Sequence, residues 1–344
     1  MRSVSPVLLA ALLWGTIGPS QALTAGLVSP GALAGWRHLV GGLALLALAL
    51  PHLSSLRHGG RSLGITVVAA GLVGAAYQVS FLMSVATTGA ALGTVVGVAT
   101  VPLFSGLAAR WTAGERISGR WALGSATAVL GCGILLLPGA GGGVDAAGIG
   151  WGILAGALFA AYTLTAKRMA VLPVDVKATT GLSMLAGAVV LSPLILGSRS
   201  TLTEPAALAV IAWLGLVATA LAYALYSAGL RGVSTSTAGT LSLGEPLAAA
   251  LLSTAFLGER LSPLEWLGCA VILGGLLLTV TGNRPVVAQD VSVVAVGYVR
   301  MPVGVPVRPN MVGRSSVDVT PIHTSEARIA TGPIRAGSAE GRSS

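Results

Sequence analysis

Charged residues are scarce in this 344-residue chain, at 9% of positions, whereas 54% of positions are hydrophobic. A soluble globular domain carries roughly a quarter charged residues. This shortage excludes an ordinary soluble domain and predicts a membrane protein. The formal net charge is +9, but the basic residues lie in short loops between apolar runs and in the C-terminal region. They form no polar, aromatic-interleaved surface, so nucleic-acid binding is not expected.

The residues of metal and catalytic sites are also scarce. The two cysteines, Cys132 and Cys269, both lie inside apolar runs, which excludes a disulfide framework and a thiolate metal site. The four histidines lack zinc-ligand spacing, and no serine sits in a nucleophile motif. No glycine-rich loop is followed by Lys-Ser/Thr, so the chain has no phosphate-binding loop for ATP. We therefore expect no metal, no cofactor and no enzymatic activity.

Long apolar runs dominate what remains. Because about 20 apolar residues cross the hydrocarbon core as a helix, segmentation at that length predicts an all-α membrane protein with ten spans. The predicted spans are 6–28, 30–51, 63–87, 90–110, 120–138, 147–168, 178–197, 205–230, 235–257 and 262–281. We expect the first run to remain as a helix, since it lacks the small-residue cleavage site of a signal peptide.

The second half of the apolar region repeats features of the first half at a constant offset of 144 positions. The matched features are Pro102 and Pro246, Gly114-Glu115-Arg116 and Gly258-Glu259-Arg260, Gly124 and Gly268, and Gly131 and Gly275. Five spans per half is an odd number, so the second copy would enter the bilayer with the opposite orientation. The sequence thus predicts two inverted five-helix repeats, at 1–141 and 142–282, a device that recurs in secondary transporters. Residues 283–344, rich in Arg, Pro and Ser, are predicted to form a disordered cytoplasmic tail.

Lysine and arginine set the expected orientation, because cytoplasmic loops retain positive charge. With the N-terminus inside, the outer loops hold only Arg199 and Arg260. The inner side holds Arg2, Arg57, Arg61, Arg110, Arg116, Arg120, Lys167, Arg168, Lys177 and Arg231. Both termini are therefore predicted to be cytoplasmic, in a multi-pass protein of the cell membrane.

Two ionisable residues lie inside predicted spans, where they are costly and face the bundle interior or a wet cavity. Arg37 lies about 10 Å into the second span from the outer side, at 1.5 Å per residue. Glu245 lies close to the midplane of the ninth span. Three alternatives stay open: the two charges pair, Arg37 snorkels outward beside a neutral Glu245, or Glu245 exchanges a proton during a transport cycle.

Aromatic and polar residues inside the spans are the other candidates. Trp and Tyr near span ends are usually interface anchors. Trp14, Tyr77, Tyr162 and Tyr223 lie deeper and are predicted to line a substrate cavity, with Gln78 and Thr94 supplying hydrogen bonds. Proline inside a span removes a backbone hydrogen bond, so Pro19, Pro102 and Pro246 are helix-bend candidates that either aid packing or open a cavity.

These motifs resemble those of the EamA family within the drug/metabolite transporter superfamily. The resemblance covers residues 1 to about 282 and rests on Leu13-Trp14-Gly15, Arg37 and the Gly-Glu-Arg turn of each half. Its strongest part is Glu245-Pro246-Leu247 followed by Gly258-Glu259-Arg260-Leu261-Ser262. The halves differ where charge is concerned, because Val101 stands at the position equivalent to Glu245 and Gly181 at the position equivalent to Arg37.

The resemblance implies ten helices in two inverted repeats and alternating-access export or exchange of a small metabolite, amino acid or drug-like solute. An importer or a lipid-linked-sugar flippase would share this architecture, and a membrane-embedded enzyme or sensor is the alternative from another class. The expected partners are the small-molecule substrate and the lipid bilayer, with proton coupling as a candidate energy source.

Overall fold

The computed structural model describes residues 3–23, 27–88, 90–115, 117–139, 145–258 and 260–282. Within these ranges every regular element is helical and no strand occurs. The predicted tail at 283–344 lies outside the described residues, as do Arg2, Arg116 and Glu259. The all-α prediction is confirmed for the part of the chain that the structure describes.

Fourteen α-helices follow one another along these ranges. They are α1 (Val4–Trp14), α2 (Ile17–Ala22), α3 (Pro30–Ala49), α4 (Gly60–Thr88), α5 (Ala90–Ala113), α6 (Gly119–Leu136), α7 (Ala146–Val171), α8 (Val176–Val190), α9 (Ser192–Gly197), α10 (Pro205–Gly215), α11 (Ala222–Gly229), α12 (Thr235–Leu241), α13 (Gly244–Leu252) and α14 (Pro263–Gly282). Short 3₁₀ helices cover Leu50–Gly59, Leu137–Gly139 and Arg199–Thr203, and π-helical segments cover Leu216–Leu221 and Ser253–Leu257.

Seven stretches of the described chain are long and apolar enough to cross a membrane. They are Pro30–Thr88, Leu92–Thr112, Gly119–Leu136, Ala146–Val171, Pro205–Gly229, Thr235–Leu257 and Pro263–Thr281. The first is 59 residues long and contains both α3 and α4. The chain is therefore a multi-pass membrane protein, and large apolar side chains such as Leu43, Leu123 and Leu273 point outward on its helices.

Three predicted spans contain a helix break, and the break in 235–257 is described with the candidate site. The predicted span 6–28 breaks at Gly15–Thr16 into α1 and α2, and the predicted span 178–197 breaks at Leu191 into α8 and α9. Pro193 follows the second break and lacks the N–H that would continue the helical hydrogen bonds. Each piece alone is shorter than the roughly 20 residues that cross the hydrocarbon core.

Side-chain contacts gather several helix ends at one end of the bundle. Asp175 N–H donates to Ser55 Oγ at 3.0 Å, Lys167 Nζ donates to the Val233 carbonyl at 2.6 Å, and Arg231 Nε donates to the Ala170 carbonyl at 2.9 Å. We call this the basic end. It contains described lysines and arginines that the sequence assigns to the inner side of the membrane.

Glycines bring the backbones of α6 and α14 close together. A Cβ at Gly124 would lie 2.9 Å from the Gly275 carbonyl oxygen, and one at Gly131 would lie 2.9 Å from the Gly268 carbonyl oxygen. Lipid supplies no hydrophobic drive for helix association, so close backbone approach through small residues takes its place. Residue numbers rise along one helix as they fall along the other, so α6 and α14 pack antiparallel.

The helix bounds also follow the sequence repeat. Five helices of the first half start within two residues of a helix of the second half after a shift of 144. The pairs are α1 and α7, α3 and α8, α4 and α10, α5 and α12, and α6 and α14. The turn glycines Gly114 and Gly258 both have positive φ, at 63° and 70°, which glycine adopts without the steric cost of a Cβ. The same local conformation therefore ends the equivalent segments of the two halves.

Candidate functional site

A group of aromatic rings lies in the interior of the bundle. Trp14 at the end of α1 packs against Tyr223 and Tyr226 with ring centroids 5.1 Å apart in each case, and against Phe159 at 6.1 Å. Tyr162 meets Tyr223 edge-on at 5.7 Å. We call Trp14, Tyr77, Phe81, Phe159, Tyr162, Tyr223 and Tyr226 the aromatic cluster.

Helical spacing explains how three helices contribute two rings each. Residues three or four apart share one face of a helix. Tyr77 and Phe81 on α4, Phe159 and Tyr162 on α7, and Tyr223 and Tyr226 on α11 have this spacing. The α4 pair joins the cluster through Tyr77 and Phe159, whose ring centroids are 5.2 Å apart. Each helix thus presents an aromatic stripe to the same interior volume.

The polar tips of these rings differ in their partners. Tyr226 and Thr163 share a hydrogen bond of 2.9 Å between their hydroxyls. The Trp14 indole N–H and the Tyr162 hydroxyl are buried without a hydrogen-bond partner among the described residues, although Tyr162 lies near Ser183. Buried polar groups are usually paired, so these two are available to a bound solute that enters the cluster.

The two charged residues predicted inside the bundle flank the aromatic cluster. Arg37 on α3 is only 8% exposed, and its Nε donates to Thr219 Oγ1 at 3.1 Å in the π-helical segment Leu216–Leu221. Glu245 lies in the first turn of α13 and is half-buried. Both charges act electrostatically on Tyr77 and Tyr223.

Arg37 and Glu245 interact electrostatically without touching. Each is within range of the other's charge, but no guanidinium nitrogen lies within 4.0 Å of a carboxylate oxygen of Glu245. The direct pair that the sequence raised as one alternative is therefore not formed, because Arg37 donates to Thr219 instead. Arg37 and Glu245 thus remain two separate opposite charges beside the aromatic cluster.

Two helix breaks meet at this place. The first separates α1 from α2 at Gly15–Thr16, and the second separates α12 from α13 at Ser242–Leu243. A Cβ at Gly15 would lie 3.0 Å from the Glu245 carbonyl oxygen, so the backbones nearly touch there. Discontinuous helices of this kind form substrate and ion sites in secondary transporters.

Local hydrogen bonding explains the second break. Pro246 has no N–H to continue the helical ladder, and Glu245 N–H donates three residues back, to the Ser242 carbonyl at 3.0 Å. Ser242 Oγ also donates to the Gly239 carbonyl at 2.7 Å, which competes with regular helical bonding. The carbonyl of Leu241 is left without its usual helical partner, the N–H of Glu245.

The equivalent helices in the other half are continuous. Helix α5 runs unbroken from Ala90 to Ala113 through Pro102, and α7 runs unbroken from Ala146 to Val171. Of the matched helix-bend candidates, Pro246 adjoins a helix break, whereas Pro102 lies inside a continuous helix. Pro19 lies within α2, shortly after the first break.

The structure brings six of the eight predicted cavity residues together. They are Trp14, Tyr77, Tyr162 and Tyr223 in the aromatic cluster, with Arg37 and Glu245 at its edge. Gln78 is buried on α4, and Thr94 on α5 is half-buried with no side-chain hydrogen bond in the described chain. Sequence reasoning missed Thr219 and Gly15 as contributors, since a threonine and a glycine are ordinary residues in membrane helices.

Within the described residues, no group of three or more His, Cys, Asp or Glu side chains could hold a metal ion. The arrangement of rings, one guanidinium and one carboxylate is suited to binding a solute. The sequence profile of the EamA-like transporter family matches residues 1–137 and 146–281. The chain belongs to this family.

Individual relatives of this EamA chain are transporters by name. The uncharacterized transporter YwfM of Bacillus subtilis (strain 168) is 37% identical over 279 residues, covering 81% of this chain and 93% of YwfM. The uncharacterized inner membrane transporter YicL of Salmonella typhimurium is 28% identical, covering 81% of this chain and 95% of YicL. YedA of Escherichia coli (strain K12), also named an uncharacterized inner membrane transporter, is 32% identical over 57% of this chain and 67% of YedA.

A solved crystal structure has a fold similar to that of this chain. It aligns with a TM-score of 0.68 at 22% identity, covering 81% of this chain and 96% of that chain. At this identity the likeness concerns the fold alone. The family match, the named relatives and the long apolar helices describe a membrane transporter of some solute.

Proposed function

We propose that this EamA protein is a secondary transporter that exports or exchanges a small metabolite, amino acid or drug-like solute across the cytoplasmic membrane. The observation that carries the proposal is the meeting of two broken helices beside the aromatic cluster, with Arg37 and Glu245 held apart at its edge. Such a site offers rings for apolar surface and two opposite charges for polar groups. No phosphate-binding loop is present in the sequence, so a solute or ion gradient supplies the energy.

The proposed topology is ten spans in two inverted repeats, at 1–141 and 142–282, with both termini cytoplasmic. Helices α3 and α4 count as separate spans, and the interrupted pairs α1–α2 and α8–α9 complete the ten. Support comes from the helix starts that match after a shift of 144, and from the antiparallel contact of the equivalent helices α6 and α14. The basic end is then cytoplasmic, in keeping with the charge bias of the loops.

The proposed mechanism is alternating access around the aromatic cluster. A solute binds between the rings and the two charges from one side, the halves rock, and the solute leaves on the other side. Glu245 is the proposed coupling residue, because its carboxylate is half-buried among apolar groups and has no counterpart in the other half, where Val101 stands. A proton gained and lost at Glu245 would link solute movement to the proton gradient.

The first test compares intracellular and extracellular metabolites in cells with and without the protein. Export predicts a set of solutes that accumulates outside only when the protein is present. Import predicts depletion outside, and a flippase predicts a change in lipid-linked sugar. No difference across a broad panel would contradict transport of a metabolite.

The second test replaces Glu245 with Gln, which keeps the side-chain shape but removes the titrating group. The expected result is loss of pH-dependent transport of the identified solute in vesicles. Glu204→Gln is the matched control, since this carboxyl is exposed at the start of α10. Unchanged pH dependence in Glu245→Gln would remove the carboxylate from the coupling mechanism.

A further inference from the structure

The Gly-Glu-Arg turn of the first half reaches across to a helix of the second half. Gly114 turns the chain at the end of α5 with φ of 63°, and Glu115 follows it. Glu115 Oε2 accepts a hydrogen bond from Ser236 Oγ at 3.0 Å, and Oε1 lies 3.4 Å from the Thr235 backbone N–H. The carboxylate thus holds the first residues of α12, both of which are buried.

The chain just before α12 is itself fixed to α7. Lys167 Nζ donates to the Val233 carbonyl at 2.6 Å, and Arg231 Nε donates to the Ala170 carbonyl at 2.9 Å. The start of α12 is therefore joined to α7 by hydrogen bonds, and Glu115 adds a charged contact from the end of α5. All of these contacts lie at the basic end of the bundle.

Deeper in the bundle, α5 and α12 also pack closely. A Cβ at Gly239 would meet Ser105 Oγ, so the two helices touch closely at this depth. Ser105 is fully buried, and its hydroxyl has no hydrogen-bond partner among the described residues. Separating α5 from α12 at the basic end would expose Ser105, and it requires that the two contacts of Glu115 break first.

The second half cannot build the same contact. A shift of 144 places Ala91 and Leu92 at the positions of Thr235 and Ser236. Neither side chain carries a hydroxyl, so Glu259 of the second Gly-Glu-Arg turn would have no side-chain donor at the equivalent position. From the sequence, a charged contact with a side-chain hydroxyl is therefore expected for the first turn only.

We propose that Glu115 is a latch that keeps the basic end closed, and that its release from Thr235 and Ser236 opens a path between α5 and α12. The latch rests on the proposed alternating-access function, for which it supplies a one-sided gate. Its two hydrogen bonds set how often that end opens. Loss of the Glu115 charge or of the Ser236 hydroxyl shifts the population toward the open form.

The test measures opening directly and needs no knowledge of the solute. Ser105→Cys introduces a reporter thiol into a full-length protein whose two native cysteines are replaced by alanine. A water-soluble methanethiosulfonate reagent is applied to membrane vesicles of both orientations. Glu115→Gln is expected to raise the modification rate of the reporter thiol roughly tenfold, the population change that corresponds to one charge-assisted hydrogen bond.

Ser236→Ala is the second variant, and it is expected to raise the rate by a smaller factor. Because both residues act in one contact, their effects on the modification rate should not multiply. The rate increase in the double variant should be smaller than the product of the two single increases. Asp145→Asn is the matched control, since this carboxylate caps the other end of α7, with Oδ1 accepting from the backbone N–H groups of Ala147 and Gly148. It should leave the rate unchanged.

The latch would be overturned if Glu115→Gln and Ser236→Ala both left the modification rate unchanged. The same conclusion would follow if the reporter thiol were not modified in any variant. A response confined to one vesicle orientation identifies the side to which the basic end faces. The metabolite comparison could show no difference while Glu115→Gln still raises the modification rate of the reporter thiol. That combination would count against the proposed function but would support the latch. The two proposals are therefore tested separately.

Discussion

The close contact between α6 and α14 gives a stability prediction that depends on position. An alanine at 275 would place its methyl group 2.6 Å from the Gly124 carbonyl oxygen and 2.8 Å from Ala128 Cα. Both are backbone atoms that cannot rotate away. The helices must separate by about 0.5–1 Å, which forfeits a quarter to a half of the dispersion energy of nearby contacts. We expect Gly275→Ala to destabilise the protein by roughly 1–3 kcal/mol, the cost of overpacking a well-packed interior.

The neighbouring glycine provides the control. A Cβ at Gly274 would meet nothing within 4 Å, so alanine there adds a methyl group in open space. Alanine also favours the helix over glycine by about 1 kcal/mol, so Gly274→Ala should be neutral or stabilising. The measurement is the loss of helical circular dichroism on heating in detergent, with about 2–4 °C expected per kcal/mol. If Gly275→Ala melts no lower than Gly274→Ala, the backbone contact between α6 and α14 is refuted.

Three further predictions use the same melting assay. Gly258→Ala should lower the free energy of unfolding by roughly 1–2 kcal/mol, because alanine is strained at φ of 70°. Gly119→Ala is the control and should not lower it, because Gly119 has open space around it and no positive φ. Thr163→Val should cost about 1–3 kcal/mol, since it keeps the shape but removes the partner of the buried Tyr226 hydroxyl; an unchanged melting temperature would place that hydroxyl elsewhere. Trp14→Ala should cost roughly 3–5 kcal/mol through the loss of three ring contacts, and a loss of under about 1 kcal/mol would contradict the packing.

Much of the fold can be predicted from the sequence because bilayer thickness fixes the length of an apolar helix. Spans predicted to start at residues 120 and 262 begin at Gly119 and Pro263 in the structure. The helix breaks at Gly15–Thr16 and Ser242–Leu243 could not be predicted in this way. Hydropathy averages over a window of residues, and it carries no information on which backbone groups are hydrogen-bonded.

The candidate site, too, could be predicted from the sequence only in part. Arg37 and Glu245 were identifiable because ionisable groups are costly inside apolar spans, and the deep aromatic residues because their polar tips need partners. The partner of Arg37 was not identifiable, since Thr219 lies in a π-helical segment that no residue type marks. Thr94 was expected to line the cavity from its polarity and depth, but these properties do not fix the direction in which a residue faces.

The glycine contact of α6 and α14 bears on how the protein can move. Gly124 faces Gly275 as Gly131 faces Gly268, so exchanging the two halves reproduces the same contact. In the proposed alternating-access cycle, a contact that is identical from either half favours neither the inward-open nor the outward-open form. Under that proposal, the energetic preference between the two forms comes from residues without a counterpart, such as Ser236 and Glu245.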